Sequence, residues 1–348
     1  MIFKNALFDS LVALIFGGLC IFEVSAKPNH QVRPNIVFML SDDMGWNQPG
    51  FNGGKKELTP NIDKFAGSSM SLTHYYTHSV CAPTRGAFLT GRYSFRNWMD
   101  WRSEDFGKPS YLKALGLTLA HNERGEPTRR IHALSSEERT VAEVLKDAGY
   151  FTAIVGKWHC GEWLPEHLPM GQGFMHQYGH YAWGIDYYTK TIVHNAPARF
   201  AVYDWHRNQK PLKEEGYATD LFATEAEKVI ATQSKDKPFF LYFPLSAPHT
   251  PWLPTDEHRG KAKAGYYGDF VNQCDAVVGQ VMAALEKIGQ VDNTLLVVTS
   301  DNGSHWVAGD IPKYSHRSNL HYRGQKSDIW EGGHRVPFVV RWPAAVKA

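Results

Sequence analysis

The sequence predicts an α/β protein with a mostly parallel central sheet covered by helices on both faces. Short continuous apolar runs of strand length, Asn35 to Leu40, Tyr150 to Val155, Phe239 to Phe243 and Leu295 to Ser300, read as strands buried on both faces. Segments with apolar residues at helical spacing lie between them, and that alternation is the pattern of crossover connections. Each of the four runs also ends in acidic, amide, basic or imidazole groups. In such sheets ligands bind beyond the carboxyl ends of the strands.

The elements follow in order. Met1 to Ala26 reads as a secretory signal: Lys4 supplies positive charge, Leu11 to Phe22 is apolar, and Val24-Ser25-Ala26 resembles a cleavage site. The apolar run is too short to span a bilayer comfortably. An exported protein (periplasmic, extracellular or in a lysosome-like compartment) without stable membrane insertion is expected, with its catalytic domain over residues 27–348. The first strand runs into Ser41-Asp42-Asp43, and Thr59-Pro60 then opens a helix. Ser135 and Glu138 form a capping-box pattern ahead of Val141, Val144, Leu145 and Ala148, and Gly149 stops that helix. The next strand leads to Gly156-Lys157-Trp158-His159. Leu221 to Ile230 and Val271 to Leu285 are amphipathic helices, Phe239 to Phe243 leads to Ala247-Pro248-His249, and Leu295 to Ser300 leads to Asp301-Asn302-Gly303. Val336 to Arg341 is one more strand. The regions Asn97 to Arg130 and Gly171 to Pro211, rich in Trp, Tyr, His and Gly, read as insertions bordering a pocket.

Hydrophobic residues make up 43% of the chain and charged residues 21%, enough to bury a large core. A net charge of +2 with scattered basic residues excludes nucleic acid as the expected partner. Beyond the signal, Cys81, Cys160 and Cys274 remain. Their odd number leaves at least one thiol free, and pairing of Cys160 with Cys274 stays open.

Chemistry concentrates in a few segments. Cys81-Ala82-Pro83-Thr84-Arg85 places a thiol close to a helix start and a guanidinium, which favours a thiolate nucleophile. Asp42, Asp43, Asp301 and Asn302 offer hard oxygen ligands suited to Ca²⁺ or Mg²⁺, with Ca²⁺ preferred in an exported protein. A ligand role for Asn302 would exclude a glycan on Asn302-Gly303-Ser304. Taken singly, the acidic pairs read as turns, the cysteine as a small buried hydrophobe and Lys157 or Lys326 as surface lysines. Jointly, a hard cation, Arg85, Lys157, Lys326, His159 and His249 around one nucleophile imply an oxyanion substrate, a sulfate or phosphate ester.

At this point the chain resembles the sulfatases, in the arylsulfatase-type branch of the alkaline-phosphatase superfamily. The resemblance is carried by Pro34-Asn35-Ile36-Val37 through Asp42-Asp43, Cys81 to Arg85 with Thr90-Gly91-Arg92, Gly156 to His159, Ala247-Pro248-His249, Ser300 to Gly303, and Gly324-Gln325-Lys326 with Trp330 to Gly333, in the family's order. It implies an alkaline-phosphatase-like fold and hydrolysis of aryl or carbohydrate sulfates. Cys81 would be oxidised to Cα-formylglycine by a formylglycine-generating enzyme, with Pro83 and Arg85 completing its motif. Asp42, Asp43, Asp301, Asn302 and the modified Cys81 would face Ca²⁺, and Arg85 would steady the hydrated aldehyde. On that resemblance, one hydroxyl of the diol would attack sulfur and the other, once deprotonated, would eject sulfate by C–O cleavage. Among the groups around the sulfate, His159 is the implied base of that elimination. His249, helped by Lys326, is the implied acid for the leaving alcohol, and Lys157 completes the set. The substrate would be a sulfated small molecule or polysaccharide, with Trp98, Trp101, Trp183 and Trp205 available to stack on sugars, although core roles are expected for most of them. A phosphonate or phosphate ester hydrolase of the same superfamily and a non-catalytic sulfated-glycan-binding protein are the alternative readings. The chain departs from the family pattern at Cys160, where leucine is common, and in stopping at Lys347-Ala348, so the usual small C-terminal domain is expected to be missing.

Overall fold

The computed structural model describes residues 33–54, 58–97, 99, 133–162, 164–192, 202–233, 237–306 and 309–348. The expected signal segment, Trp98, Trp101 and most of the first insertion lie outside the described residues. Along the chain run β1 (Asn35–Ser41), α1 (Pro60–Ala66), β2 (Met70–Ser71), α2 (Cys81–Thr90), α3 (Val141–Asp147), β3 (Phe151–Lys157), β4 (His176–His180), β5 (His206–Arg207), β6 (Lys210–Pro211), α4 (Ala218–Thr232), β7 (Phe239–Pro244), α5 (Gly265–Lys287), β8 (Thr294–Ser300), α6 (Glu331–His334) and β9 (Phe338–Arg341).

The strands form one sheet in the order β2-β9-β8-β1-β7-β3-β4-β5-β6. Its centre, from β8 to β4, is parallel, as the continuous apolar runs predict. The margins are antiparallel: β9 pairs β8, β2 pairs β9, and β5 pairs β4 and β6. Alternate residues of β1 face two separate cores. Val37 and Met39 pack with Phe222 of α4 and Val271 and Val278 of α5, whereas Phe38 and Leu40 pack with Ala82 and Leu89 of α2 and Ala142 of α3. Cys274 belongs to the first core and Cys160 to the second, with the sheet between them, and Cys81, Cys160 and Cys274 are all free. That geometry excludes the Cys160–Cys274 disulfide left open by the sequence.

Two local expectations are corrected, the capping box of α3 and the end of β3. The capping box of α3 is Thr140 and Glu143: Glu143 N donates to Thr140 Oγ1 (3.1 Å) and Thr140 N to Glu143 Oε2 (2.8 Å). Glu138 is taken instead by Arg92, whose Nη1 lies 2.9 and 3.0 Å from its two oxygens. Helix α2 begins at Cys81 itself, with Pro83 in the first turn, where a missing N–H leaves no bond unmade. Strand β3 continues through Gly156 and Lys157, and a Cβ on Gly156 would sit 1.9 Å from the Pro244 carbonyl oxygen of β7. Trp205 is buried and stacks on Phe222 at 4.8 Å, so it serves the core and not a sugar.

Candidate active site

Register brings the acidic strand ends together. In the β1–β8 pairing Ser41 lies opposite Ser300, so Asp42 and Asp301 leave the sheet side by side, joined by Asp301 N donating to Ser41 O (3.0 Å). Asp43 adopts a left-handed backbone (φ +69°), which costs a non-glycine residue ~1–2 kcal/mol. Tyr267 of α5 holds it there: its hydroxyl donates to Asp43 O (2.8 Å) and accepts from Gly45 N (3.1 Å).

Three cations meet these carboxylates. Lys157, at the end of β3, donates through Nζ to Asp42 Oδ2 (2.6 Å). Arg85, on the α2 turn after Cys81, directs Nε and Nη2 to Asp301 Oδ2 (3.2 and 2.8 Å) and Nη1 to the Lys157 carbonyl (2.9 Å). Lys326 lies 2.7 and 2.9 Å from the two oxygens of Asp43, and Asn302 Nδ2 donates to Asp43 Oδ1 (2.7 Å). Two backbone bonds set the Lys326 loop: Lys326 N to Ser304 O (2.9 Å) and Ser327 N to Ser79 O (2.8 Å), the latter on the approach to α2.

Cys81 is buried at the start of α2, its Sγ 3.9 Å from Lys157 Nζ. Sγ and one oxygen each of Asp42 and Asp301 all lie within 4.8 Å of one another. His159 follows β3 with φ +55°, and its Nδ1 is buried without a hydrogen-bond partner. His249 turns its Nδ1 to Thr250 O (2.6 Å) and its Nε2 toward Asp43 Oδ2 at 3.9 Å. The Nδ1 proton therefore goes to the carbonyl, leaving an Nε2 lone pair on the site. Trp183 stands edge-on to His249 with ring centres 5.7 Å apart. All ten residues read from the sequence thus converge at one edge of the sheet.

Burial and charge then sort the protonation states. Burial raises the proton affinity of Asp42, but Lys157, His249, Arg85 and Lys326 together outweigh it and hold the carboxyl well below the usual range. Asp301 is pushed up to about 7, by burial first and then by the Asp42 charge. Burial likewise pushes the Cys81 thiol up, and the opposing pull of Lys157 and Lys326 is too small to reverse it. The thiolate expected from the local motif is therefore corrected: enclosure disfavours the anion more than its neighbours favour it. His249 is pushed down to about 4 by burial and by Lys326, and burial and Lys157 push His159 well below its ordinary value.

The donor set fits a hard cation. Asp42 Oδ1 and Asn302 Oδ1 are buried with no hydrogen-bond partner. An orphaned buried acceptor costs ~1–3 kcal/mol, which an ion would relieve. Asn302 has no exposed surface, which excludes a glycan there.

Local sequence did not flag two supports. Tyr267 looks like any core aromatic at the start of α5, and its role depends on a fold-level contact. Tyr187 donates to Ser246 O (2.6 Å) and His249 O (3.1 Å), fixing the His249 turn. Only the aromatic richness of residues 171–211 hinted at a residue of this kind.

Comparison with known proteins agrees with this geometry. Residues 34–348 match the sulfatase family. N-acetylgalactosamine-6-sulfatase of Rattus norvegicus is 33% identical over 327 residues, covering 90% of this chain and 58% of that protein. Steryl-sulfatase of Homo sapiens is 27% identical over 403 residues, covering 95% and 65%. The crystal structure of Ps i-CgsB in complex with k-i-k-neocarrahexaose has a TM-score of 0.73 at 29% identity, covering 91% of this chain and 67% of that one. Its likeness supports the alkaline-phosphatase-like fold. The chain spans about 58% of the length of the first of these relatives. Among the described residues no helix is long and apolar enough to cross a membrane. With the match running through every segment that converges on Cys81, the chain belongs to the sulfatase family.

Proposed function

We propose that this chain hydrolyses sulfate esters of carbohydrates, with Cys81 converted to Cα-formylglycine and Ca²⁺ held by Asp42, Asp43, Asp301, Asn302 and the modified residue. The convergence of three carboxylates, three cations and two neutral imidazoles on one buried cysteine carries the reading. The hydrated aldehyde supplies two hydroxyls, one for attack on sulfur and one for release, and the cation supplies Lewis acidity toward the sulfuryl oxygens.

The chain's own residues account for the rest. Lys157 and Lys326 bind sulfate oxygens as charged donors. Arg85 has its Nε and both terminal nitrogens on Asp301 and the Lys157 carbonyl, so it orients those two groups and not the substrate. His159, neutral and with Nδ1 uncommitted, is the base for release. His249 is the acid for the leaving alcohol: an arriving sulfate ester brings negative charge beside Nε2 and raises its proton affinity from the resting state. Lys326 assists from the Asp43 side. Carbohydrate esters are favoured by the names of the galactosamine-6-sulfatase relative and of the structure solved with a neocarrahexaose.

Cys81, Pro83 and Arg85 are all buried, so the formylglycine-generating enzyme, the expected maturation partner, must read the motif before the domain closes. Matched sulfate and phosphate monoesters, assayed with protein whose Cys81 peptide has been weighed by mass spectrometry, test the proposal. Sulfate-selective turnover that scales with the formylglycine fraction supports it. Preference for the phosphate ester, or no turnover by fully modified protein, would sink it.

A further inference from the structure

Beside the site lies an open cleft of about 390 Å³, bordered by the segment after β8 and the loop 316–325. Its size falls within the ~300–1,000 Å³ of typical small-molecule sites. It shares a wall with the catalytic machinery: Gln325, next to Lys326, accepts from Trp306 N through Oε1 (3.0 Å), and Lys326 N is bonded to Ser304.

Trp306, Arg317, Asn319, His321, Tyr322 and Arg323 line it, and none of its lining residues is acidic. Asp328, which follows the loop, accepts from Gln325 N through Oδ2 (3.0 Å). Arg317 and Arg323 are exposed, and neither pairs with a carboxylate among the described residues. Arg323 lies 3.8 Å over the Trp330 ring, a contact that leaves the in-plane N–H groups of the guanidinium free. The loop is built and tied down: Asn47 N donates to Ser318 O (2.8 Å), Leu320 N to Arg317 O (3.0 Å) and Asn319 Nδ2 to Gly324 O (3.1 Å). Leu320 holds a left-handed backbone (φ +54°) within it. Two guanidiniums without a carboxylate partner among the described residues, on a preorganised loop, suit a planar or tetrahedral oxyanion, and the aromatic and amide groups beside them suit a sugar ring.

We propose that this cleft is a second anion subsite. It takes a further acidic group, a sulfate ester or a uronate carboxylate, on another sugar of the same oligosaccharide as the one being desulfated, with Arg317 and Arg323 as its ligands. The inference rests on the carbohydrate-sulfatase reading for the scissile group, so its test measures binding apart from turnover. Full-length Cys81→Ser protein is titrated calorimetrically with a tetrasaccharide of alternating uronate and 6-sulfated N-acetylgalactosamine, and with its carboxyl-reduced and desulfated forms. Arg317→Ala and Arg323→Ala, both exposed and expected to keep the parent's melting temperature, should each weaken binding of the intact tetrasaccharide about 10–100-fold. If the carboxyl-reduced form keeps that dependence, sulfate is the second anion. If only the desulfated form keeps it, the uronate is. Affinities within twofold of the parent for both variants, or no binding of any probe, overturn the subsite. Failure of the unmutated, modified protein to cleave 4-nitrophenyl sulfate would instead overturn the sulfatase reading, and the titrations would still decide the subsite.

Discussion

Replacing Arg85 by alanine should unfold the logic of the site from its base. The guanidinium is fully buried, and three of its nitrogens contact Asp301 Oδ2 or the Lys157 carbonyl, with Asp42 Oδ2 at 3.5 Å. Removing it leaves the Asp301 carboxylate and a backbone carbonyl buried without their donor. Breaking one side of a buried ion pair costs ~3–5 kcal/mol. Lysine at this position restores the charge but, with one nitrogen, cannot span Asp301 and the carbonyl, so Arg85→Lys should recover only part of the loss. Urea unfolding at pH 9, where Asp301 is ionised in the parent protein, measures both variants in the presence of a chelator. Added calcium should offset ~2.7 kcal/mol at a hundred times its dissociation constant, because a divalent ion compensates the same carboxylates. A loss below ~1 kcal/mol for Arg85→Ala, on the scale of an exposed pair, would refute the claim that Arg85 anchors the acidic cluster.

Three further outcomes follow from the same geometry. His249→Ala should slow sugar sulfates, which have poor leaving groups, by ~10²–10⁴-fold while affecting 4-nitrophenyl sulfate far less; equal losses would remove its acid role. Because Asp301 is held near 7, a proton competes with calcium below that pH. Affinity measured by calorimetry should therefore fall by up to ~10-fold per unit, or ~1.4 kcal/mol, from pH 7 to 5 and level off above 8; a flat profile across that range would contradict it. Formylglycine should form at Cys81 only when the modifying enzyme meets the chain before folding. Mass analysis showing efficient conversion of the refolded, unmodified protein would oppose the burial argument.

Much of the site was legible because its chemistry is local to strand ends. Asp42, Lys157, His249 and Asp301 each follow an apolar run, so strand identification alone placed them at candidate ligand positions. The helix carrying Cys81 was only partly legible: Pro83 discourages a helical reading unless it occupies the first turn, where α2 puts it. The Ser135–Glu138 capping pattern failed because Arg92, distant in sequence, takes Glu138. Protonation was the least legible property. The motif argued for a thiolate at Cys81, and only its enclosure shows that the anion is disfavoured.

By itself, the sequence determined the strand–helix alternation, the residue types at the strand ends and their family order. Those features depend on neighbours a few positions apart. The tertiary structure decided which groups meet. Arg85 reaches Asp301 across 216 positions and Lys326 reaches Asp43 across 283. The pairing of Ser41 with Ser300 sets the two acidic ends level, and a slip of one residue would send the side chains to opposite faces. The fold also placed Cys160 and Cys274 on opposite sides of the sheet and set Arg317 and Arg323 around a cleft beside Lys326. Burial and long-range electrostatics depend on the whole enclosure, so no window of sequence contains them.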